Sequence, residues 1–68
     1  MIEPTESQVA SYAEREVENC VDNHTNEVNA TQLAENIAHH FGCDHWLDDE
    51  THFVWEIALT AGAEFENS

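Results

Sequence analysis

The sequence predicts an all-α fold, a small three-helix domain, on three observations. Thr5 and Gln8 have the spacing of a capping box at a helix start, and Asn29 with Gln32 repeats the N-cap pattern further along the chain. Apolar residues recur at steps of three and four in three segments, as they do on the buried face of an amphipathic helix. The length of 68 residues leaves room for one domain, so we expect a single acidic helical domain over 1–68.

The first helix is predicted over 5–22, starting from the capping box. The next stretch, 22–26, is rich in Asp, Asn and Thr, whose side chains hydrogen-bond nearby backbone and favour turns. We therefore expect a loop there. The apolar face of this helix consists of Val9, Tyr12, Ala13, Val17, Cys20 and Val21.

The second helix is predicted over 30–41, between Asn29 as N-cap and Gly42 as the residue that stops it. Val28 and Leu33 occupy the two positions of a hydrophobic staple around that N-cap. The helix therefore has defined signals at both ends. Its inward face consists of Leu33, Ala34, Ile37, Ala38 and Phe41.

The third helix is predicted over 50–66, although residues 52–59 also alternate as a half-buried strand does. Apolar positions continue at helical spacing for about three turns, and this length favours the helix. The acidic run at 48–50 suits a helix N-terminus, while Gly62 inside the helix costs about 1 kcal/mol relative to alanine. The apolar face consists of Val54, Ile57, Ala58, Ala61 and Phe65.

Charge dominates the composition. Fifteen acidic residues stand against a single base, Arg15, and the formal net charge is −14 with neutral histidines. Nucleic acids and anionic membranes carry the same sign, so binding to either is electrostatically unfavourable. We expect no direct nucleic-acid partner, no membrane partner and, instead, a basic protein surface.

Two groups of carboxylates are the candidate partner-binding residues. Glu14, Glu18 and Asp22 follow one another at steps of four. On one continuous helix they would lie about 6 Å apart along the axis, close to the spacing of phosphates on a nucleic-acid strand. We call these three the acidic row. The second cluster consists of Asp48, Asp49, Glu50 and Glu56.

The acidic row also predicts the effect of charge reversal. Glu14→Lys with Glu18→Lys is expected to slow association with a basic partner. The fold should stay intact or become slightly firmer, because like charges four residues apart destabilise a helix. Glu64 and Glu66, near the C-terminal end of the third helix, are the expected control positions.

No catalytic, metal or cofactor site is predicted. The sequence lacks a Gly-x-Ser-x-Gly elbow, a phosphate-binding glycine loop and a His-Glu-x-x-His pair, so we expect no enzyme. Both cysteines are expected to be reduced structural thiols. The large aromatic residues are expected to form the core, with Trp46 as the alternative candidate for a partly exposed interface anchor. Six residues are of the types that bind zinc, but their spacing resembles no zinc motif closely. They are Cys20, His24, His39, His40, Cys43 and His45.

A small acidic chain without lysine, with carboxylates spaced like Glu14, Glu18 and Asp22, resembles the DNA-mimic inhibitors of phages. It is most similar to small anti-CRISPR proteins that act on type I surveillance complexes, in size, charge and layout rather than in any short motif. The resemblance implies a cytoplasmic inhibitor in the host cell that needs no cofactor. It would occupy the basic channel or adjacent-motif reader through which a CRISPR effector takes target DNA.

Three other interpretations of the acidity stay open. The simplest is that the carboxylates form a solvated face without a binding role. In a halophile, an acidic surface serves solubility in strong salt, although here Glu outnumbers Asp and such proteins are expected to be richer in Asp and Arg. Alternatively, the chain is an interaction module of a halophile or mobile element that binds a protein partner through an apolar face of the third helix. Salt discriminates the DNA mimic from this module, since charge-driven binding weakens with salt and apolar contact persists.

Overall fold

A computed structural model of the chain describes residues 3–67. The predicted all-α three-helix fold is confirmed in this part of the chain. Positions 1, 2 and 68 of the expected domain lie outside the described residues. The α-helices are α1, Glu6–Glu16, α2, Ala30–Phe41, and α3, Phe53–Glu66, and two 3₁₀ helices span Val17–Cys20 and Asp44–Asp48.

The start of α1 is the predicted capping box. Thr5 Oγ1 accepts a hydrogen bond from the Gln8 backbone N–H at 3.2 Å, and Gln8 Oε1 accepts one from the Thr5 N–H at 2.9 Å. These two reciprocal bonds satisfy backbone donors that have no partner within the helix. The expected apolar face is buried at Val9 and Ala13.

The end of the first helix differs from the prediction. The α-helix stops at Glu16, and the chain tightens into the 3₁₀ helix Val17–Cys20, so the expected α-helix over 5–22 is wrong at its C-terminal end. The cause lies in the following segment, where Val21 and Val28 form an antiparallel bridge. The Asp22 carboxylate accepts the His24 N–H at 2.8 Å, and this local bond competes with helix.

The ends of α2 are those predicted from the sequence. Asn29 Oδ1 accepts the Gln32 N–H at 3.1 Å at the N-cap. Gly42 ends the helix in the left-handed region at φ 68°, which glycine adopts without a steric penalty. The predicted inward face is buried at Leu33, Ala34, Ile37 and Ala38.

The start of α3 lies at Phe53, three residues later than predicted, and residues 53–59 are helical rather than extended. His52 is the N-cap, and its Nδ1 accepts the Val54 N–H at 3.1 Å. Asp49 instead closes a turn, accepting bonds from the Thr51 N–H at 2.9 Å and the Thr51 hydroxyl at 2.7 Å. The acidic run at 48–50 therefore precedes the helix and does not form its first turn.

The core lies where α1, α2 and α3 all pack against one another, and Trp46 closes it at one end. This side chain is only 2% exposed, so the expectation of an exposed anchor is wrong. Its indole stacks on His52, with ring centroids 4.8 Å apart. Gly62 is explained by close packing, because a Cβ there would stand 3.2 Å from Val28 Cγ1. No helix in 3–67 is both long and apolar enough to cross a membrane.

Candidate acidic binding groove

A groove of about 440 Å³ runs between α1 and α3. Its apolar lining is buried or half-buried and forms the floor, while its glutamates are exposed and form the rims. We call this feature the acidic groove. The floor consists of Ala10, Phe53, Ile57 and Ala61, the rims of Glu6 and Glu14 on α1 and Glu56 and Glu64 on α3, and Ser7 and Thr60 complete the lining.

Helical spacing places these residues on the two facing stripes. Glu6, Ala10 and Glu14 follow at steps of four on α1, so one face of the helix presents all three. On α3, Glu56 and Glu64 are again eight residues apart. Eight residues of α-helix rise about 12 Å, so each rim carries two carboxylates roughly two turns apart.

The charge of the acidic groove is not offset locally. Within residues 3–67 the structure shows no hydrogen bond or ion pair to the carboxylates of its four glutamates, and its lining contains no basic residue. Two histidine–carboxylate contacts lie in this part of the chain, both outside the groove: His39–Asp44 at 3.5 Å and His45–Glu3 at 3.4 Å. Each is an ion pair only when its histidine is protonated. The groove is therefore a site of concentrated negative potential.

The predicted acidic row is not a continuous line on one α-helix. Glu14 lies on α1 and lines the groove, Glu18 lies on the following 3₁₀ helix, and Asp22 lies in the turn beyond it. The Asp22 carboxylate is bonded to its own turn through His24. The spacing of about 6 Å that an unbroken α-helix would give therefore does not apply to the row.

The second predicted cluster is divided as well. Glu56 lies on α3 and lines the groove. Asp48 ends the second 3₁₀ helix, and Asp49 and Glu50 follow it before α3; we call these three residues the acidic loop. Hydrogen bonds from Thr51 hold the pKa of Asp49 below its ordinary value. The structure thus brings one residue from each predicted group together, Glu14 and Glu56, and leaves the others elsewhere.

Two rim residues were missed from the sequence. Glu6 was not singled out, and Glu64 was expected to be a control position, yet both line the groove. The available signal was the repeat of glutamates eight residues apart in two helices. That repeat becomes informative only when the faces of α1 and α3 that meet are known. Glu66 does not line the groove and remains a control position.

The two thiols belong to the packed interior. Cys20 and Cys43 are free and buried. Burial raises the pKa of the Cys20 thiol and the nearby Glu16 carboxylate adds to this, against a hydrogen bond that Asn36 donates to its sulfur. Burial likewise raises the pKa of Cys43. No group of three or more potential metal ligands is found within the described range 3–67.

A second groove next to α1 has mixed charge. Arg15 lines it together with Glu3, and the Tyr12 ring stacks on His40 with centroids 3.9 Å apart. The Tyr12 hydroxyl donates a hydrogen bond to Glu16 Oε2 at 3.1 Å. Burial raises the pKa of Tyr12, and this hydrogen bond raises it further. Because it combines both signs of charge, this surface is less suited to a strongly basic partner than the acidic groove.

Comparisons with known proteins complete the description of the site. No protein-family model, curated protein or solved structure matches the chain. The chemistry of the acidic groove therefore has to be inferred from its own lining. An apolar floor between unpaired carboxylates suits the noncovalent binding of a surface that is cationic and partly apolar.

Proposed function

We propose that the chain is an inhibitor, without enzymatic activity, that binds the basic DNA-binding surface of a protein complex in place of DNA. The observation that carries this proposal is the acidic groove, where two helices each present two exposed carboxylates and no basic side chain lies among them. A protein surface built to hold phosphates offers the complementary charge.

The net charge of −14 supports the same function through the rate of association. Long-range attraction steers a strongly charged protein towards a surface of opposite sign, and this effect raises association rates at low salt. Local carboxylates then determine how well the bound orientation fits. The groove supplies those local charges, and the remaining acidic surface supplies the long-range field.

The target class follows from the resemblance to small anti-CRISPR proteins. In this proposal, the chain occupies the DNA channel or the adjacent-motif reader of a type I surveillance complex in the cytoplasm of the host cell. It contacts neither nucleic acid nor membrane, because its charge repels both. It acts by competition, so it requires no cofactor.

The test is a competition experiment with a purified type I surveillance complex and a fluorescent target duplex. We expect the chain to displace the duplex, and its own affinity for the complex to fall at least about tenfold between about 50 mM and about 200 mM salt. A polyglutamate peptide with the same formal charge of −14 is the control for charge without a fold. No displacement at either salt, or equal displacement by polyglutamate, would contradict the proposal.

One observation favours a second candidate, a module that binds its partner through an apolar helix face. Leu59 on α3 is 63% exposed and offers an apolar side chain that such a module could place against a partner. Binding through Leu59 would persist at high salt and would be weakened by Leu59→Gln. Binding through the carboxylates would weaken at high salt and would change little with Leu59→Gln.

A further inference from the structure

The acidic groove combines two features that a merely solvated acidic surface lacks. Its floor includes the half-buried ring of Phe53 and the half-buried aliphatic side chain of Ile57, and the exposed rim glutamates lie on both sides of this floor. Apolar surface that remains open between charged rims gains free energy when a partner covers it. The geometry therefore describes a surface for a partner with an apolar stripe and flanking charges.

The spacing of the rim carboxylates restricts the partner further. The two carboxylates on one rim are about 12 Å apart along the helix axis, too far to share one metal ion, whose oxygen ligands lie at about 2.0–2.6 Å. A second copy of this chain is disfavoured, because each copy carries −14 and its single base, Arg15, lines the other groove. A positively charged segment of another protein can reach both carboxylates of a rim and is not repelled by the negative charge of the chain.

A helix fits the repeat of the rims. Side chains seven or eight residues apart on an α-helix lie on nearly the same face and about 11–12 Å apart. Lysine or arginine at that repeat, on both sides of an apolar stripe, would meet the four carboxylates. A two-turn helix occupies roughly 1,000 Å³, more than the 440 Å³ of the groove. Only the inward side chains of such a helix would therefore enter.

We propose that the acidic groove binds a basic amphipathic helix of its protein target, with apolar side chains on the floor and lysine or arginine side chains against Glu6, Glu14, Glu56 and Glu64. This inference rests on the proposed function for the class of target, and it adds the secondary structure and pattern of the element recognised. Helix-in-groove recognition uses apolar anchors at helical spacing in the same way.

The test uses the purified chain and a synthetic amphipathic helix of about 18 residues, with leucine on one face and arginine on both flanks of that face. Fluorescence anisotropy measures its binding. Two further peptides replace either the leucines by serine or the arginines by glutamine. We expect each replacement to weaken binding by at least about tenfold, because the floor and the rims both contribute. Equal binding of the serine peptide and the parent peptide would overturn the proposal.

A matched pair of variants locates the binding. Ala10→Phe fills the floor without removing a carboxylate, whereas Ala63→Phe adds the same ring at an exposed position of α3 outside the groove. We expect at least about a tenfold loss of peptide affinity for Ala10→Phe and less than about twofold for Ala63→Phe. Circular dichroism checks that both remain folded. Equal affinities for the two variants would contradict binding in the groove.

The competition experiment with the surveillance complex separates the two proposals. If the chain displaces target DNA but binds none of the peptides, the helix proposal is wrong and the proposed function stands. If the parent peptide binds with the expected response to Ala10→Phe but DNA is not displaced, the groove recognises a basic helix and the proposed function is wrong.

Discussion

The acidic groove and the acidic loop are both rich in carboxylates, yet the fold uses them differently. In the loop, Asp49 accepts two hydrogen bonds from Thr51 and so holds the turn that leads into α3. In the groove, none of the four glutamate carboxylates has a hydrogen bond or ion pair within residues 3–67. The Asp49 carboxylate therefore supports the fold, whereas the groove carboxylates have no such bond and are the ones that we propose contact a partner.

This difference indicates how stability and binding are divided in the molecule. Like charges on an acidic surface destabilise the compact state through mutual repulsion. A carboxylate with an internal hydrogen bond recovers part of that cost locally, and a carboxylate without one does not. Substitutions in the acidic loop, or at Trp46 next to it, should therefore change the stability of the fold more than binding. Substitutions at the groove rims should change binding more than stability.

The largest expected effect comes from removing the support of the loop. Trp46 is buried just before the acidic loop and packs against His52 and Phe53, which begin α3. Trp46→Ala should lower the free energy of unfolding by about 3–5 kcal/mol, because it leaves a large cavity. Chemical denaturation measures this, with Leu59→Ala as an exposed control expected to change it by less than about 0.5 kcal/mol. A loss below about 1 kcal/mol would show that Trp46 is not part of a packed core.

A smaller effect is expected from the charge of Asp49 and depends on pH. The folded-state pKa of Asp49 is lowered from 3.8, so its ionised form stabilises the fold above that value, and this contribution is lost as pH falls through the lowered pKa. Asp49→Asn should therefore be less stable than Asp48→Asn at neutral pH. The gap should close in acid. Thermal unfolding against pH measures both variants, and parallel curves would remove Asp49 from this structural role.

The sequence allowed the helices to be predicted because their signals are local. Thr5 with Gln8, Asn29 with Gln32, and Gly42 each act within a few residues, and each is where it was expected. The early end of α1 was missed, since it depends on the bridge between Val21 and Val28 and on the turn between them. A bridge and a turn that lie beyond the end of a helix leave no periodic signal within the helix itself.

The acidic groove was only partly predictable from the sequence, because its composition depends on which faces of α1 and α3 pack together. Glu14 and Glu56 were singled out as members of two separate groups, and the structure places both on one groove. Glu6 and Glu64 join them only because α1 and α3 pack with those faces adjacent. Charge composition predicts a basic partner, and this stays a prediction, whereas the arrangement of the charges required the tertiary structure.

The most direct test compares two variants of equal charge in displacing target DNA from the surveillance complex. One variant changes the groove, Glu6→Gln, Glu14→Gln, Glu56→Gln and Glu64→Gln. The other changes carboxylates that the sequence suggested but that lie outside the groove, Glu18→Gln, Asp22→Asn, Asp48→Asn and Glu50→Gln. Each has a formal charge of −14 + 4 = −10.

Denaturation of both variants is measured alongside, to confirm that each remains folded. We expect the groove variant to lose at least about tenfold in inhibition and the other variant less than about threefold, because contact charges contribute more than distant ones that are screened by salt. Equal losses would mean that total charge alone drives binding, and a greater loss in the second variant would place the site outside the groove. Either result would contradict the assignment of the acidic groove as the binding surface.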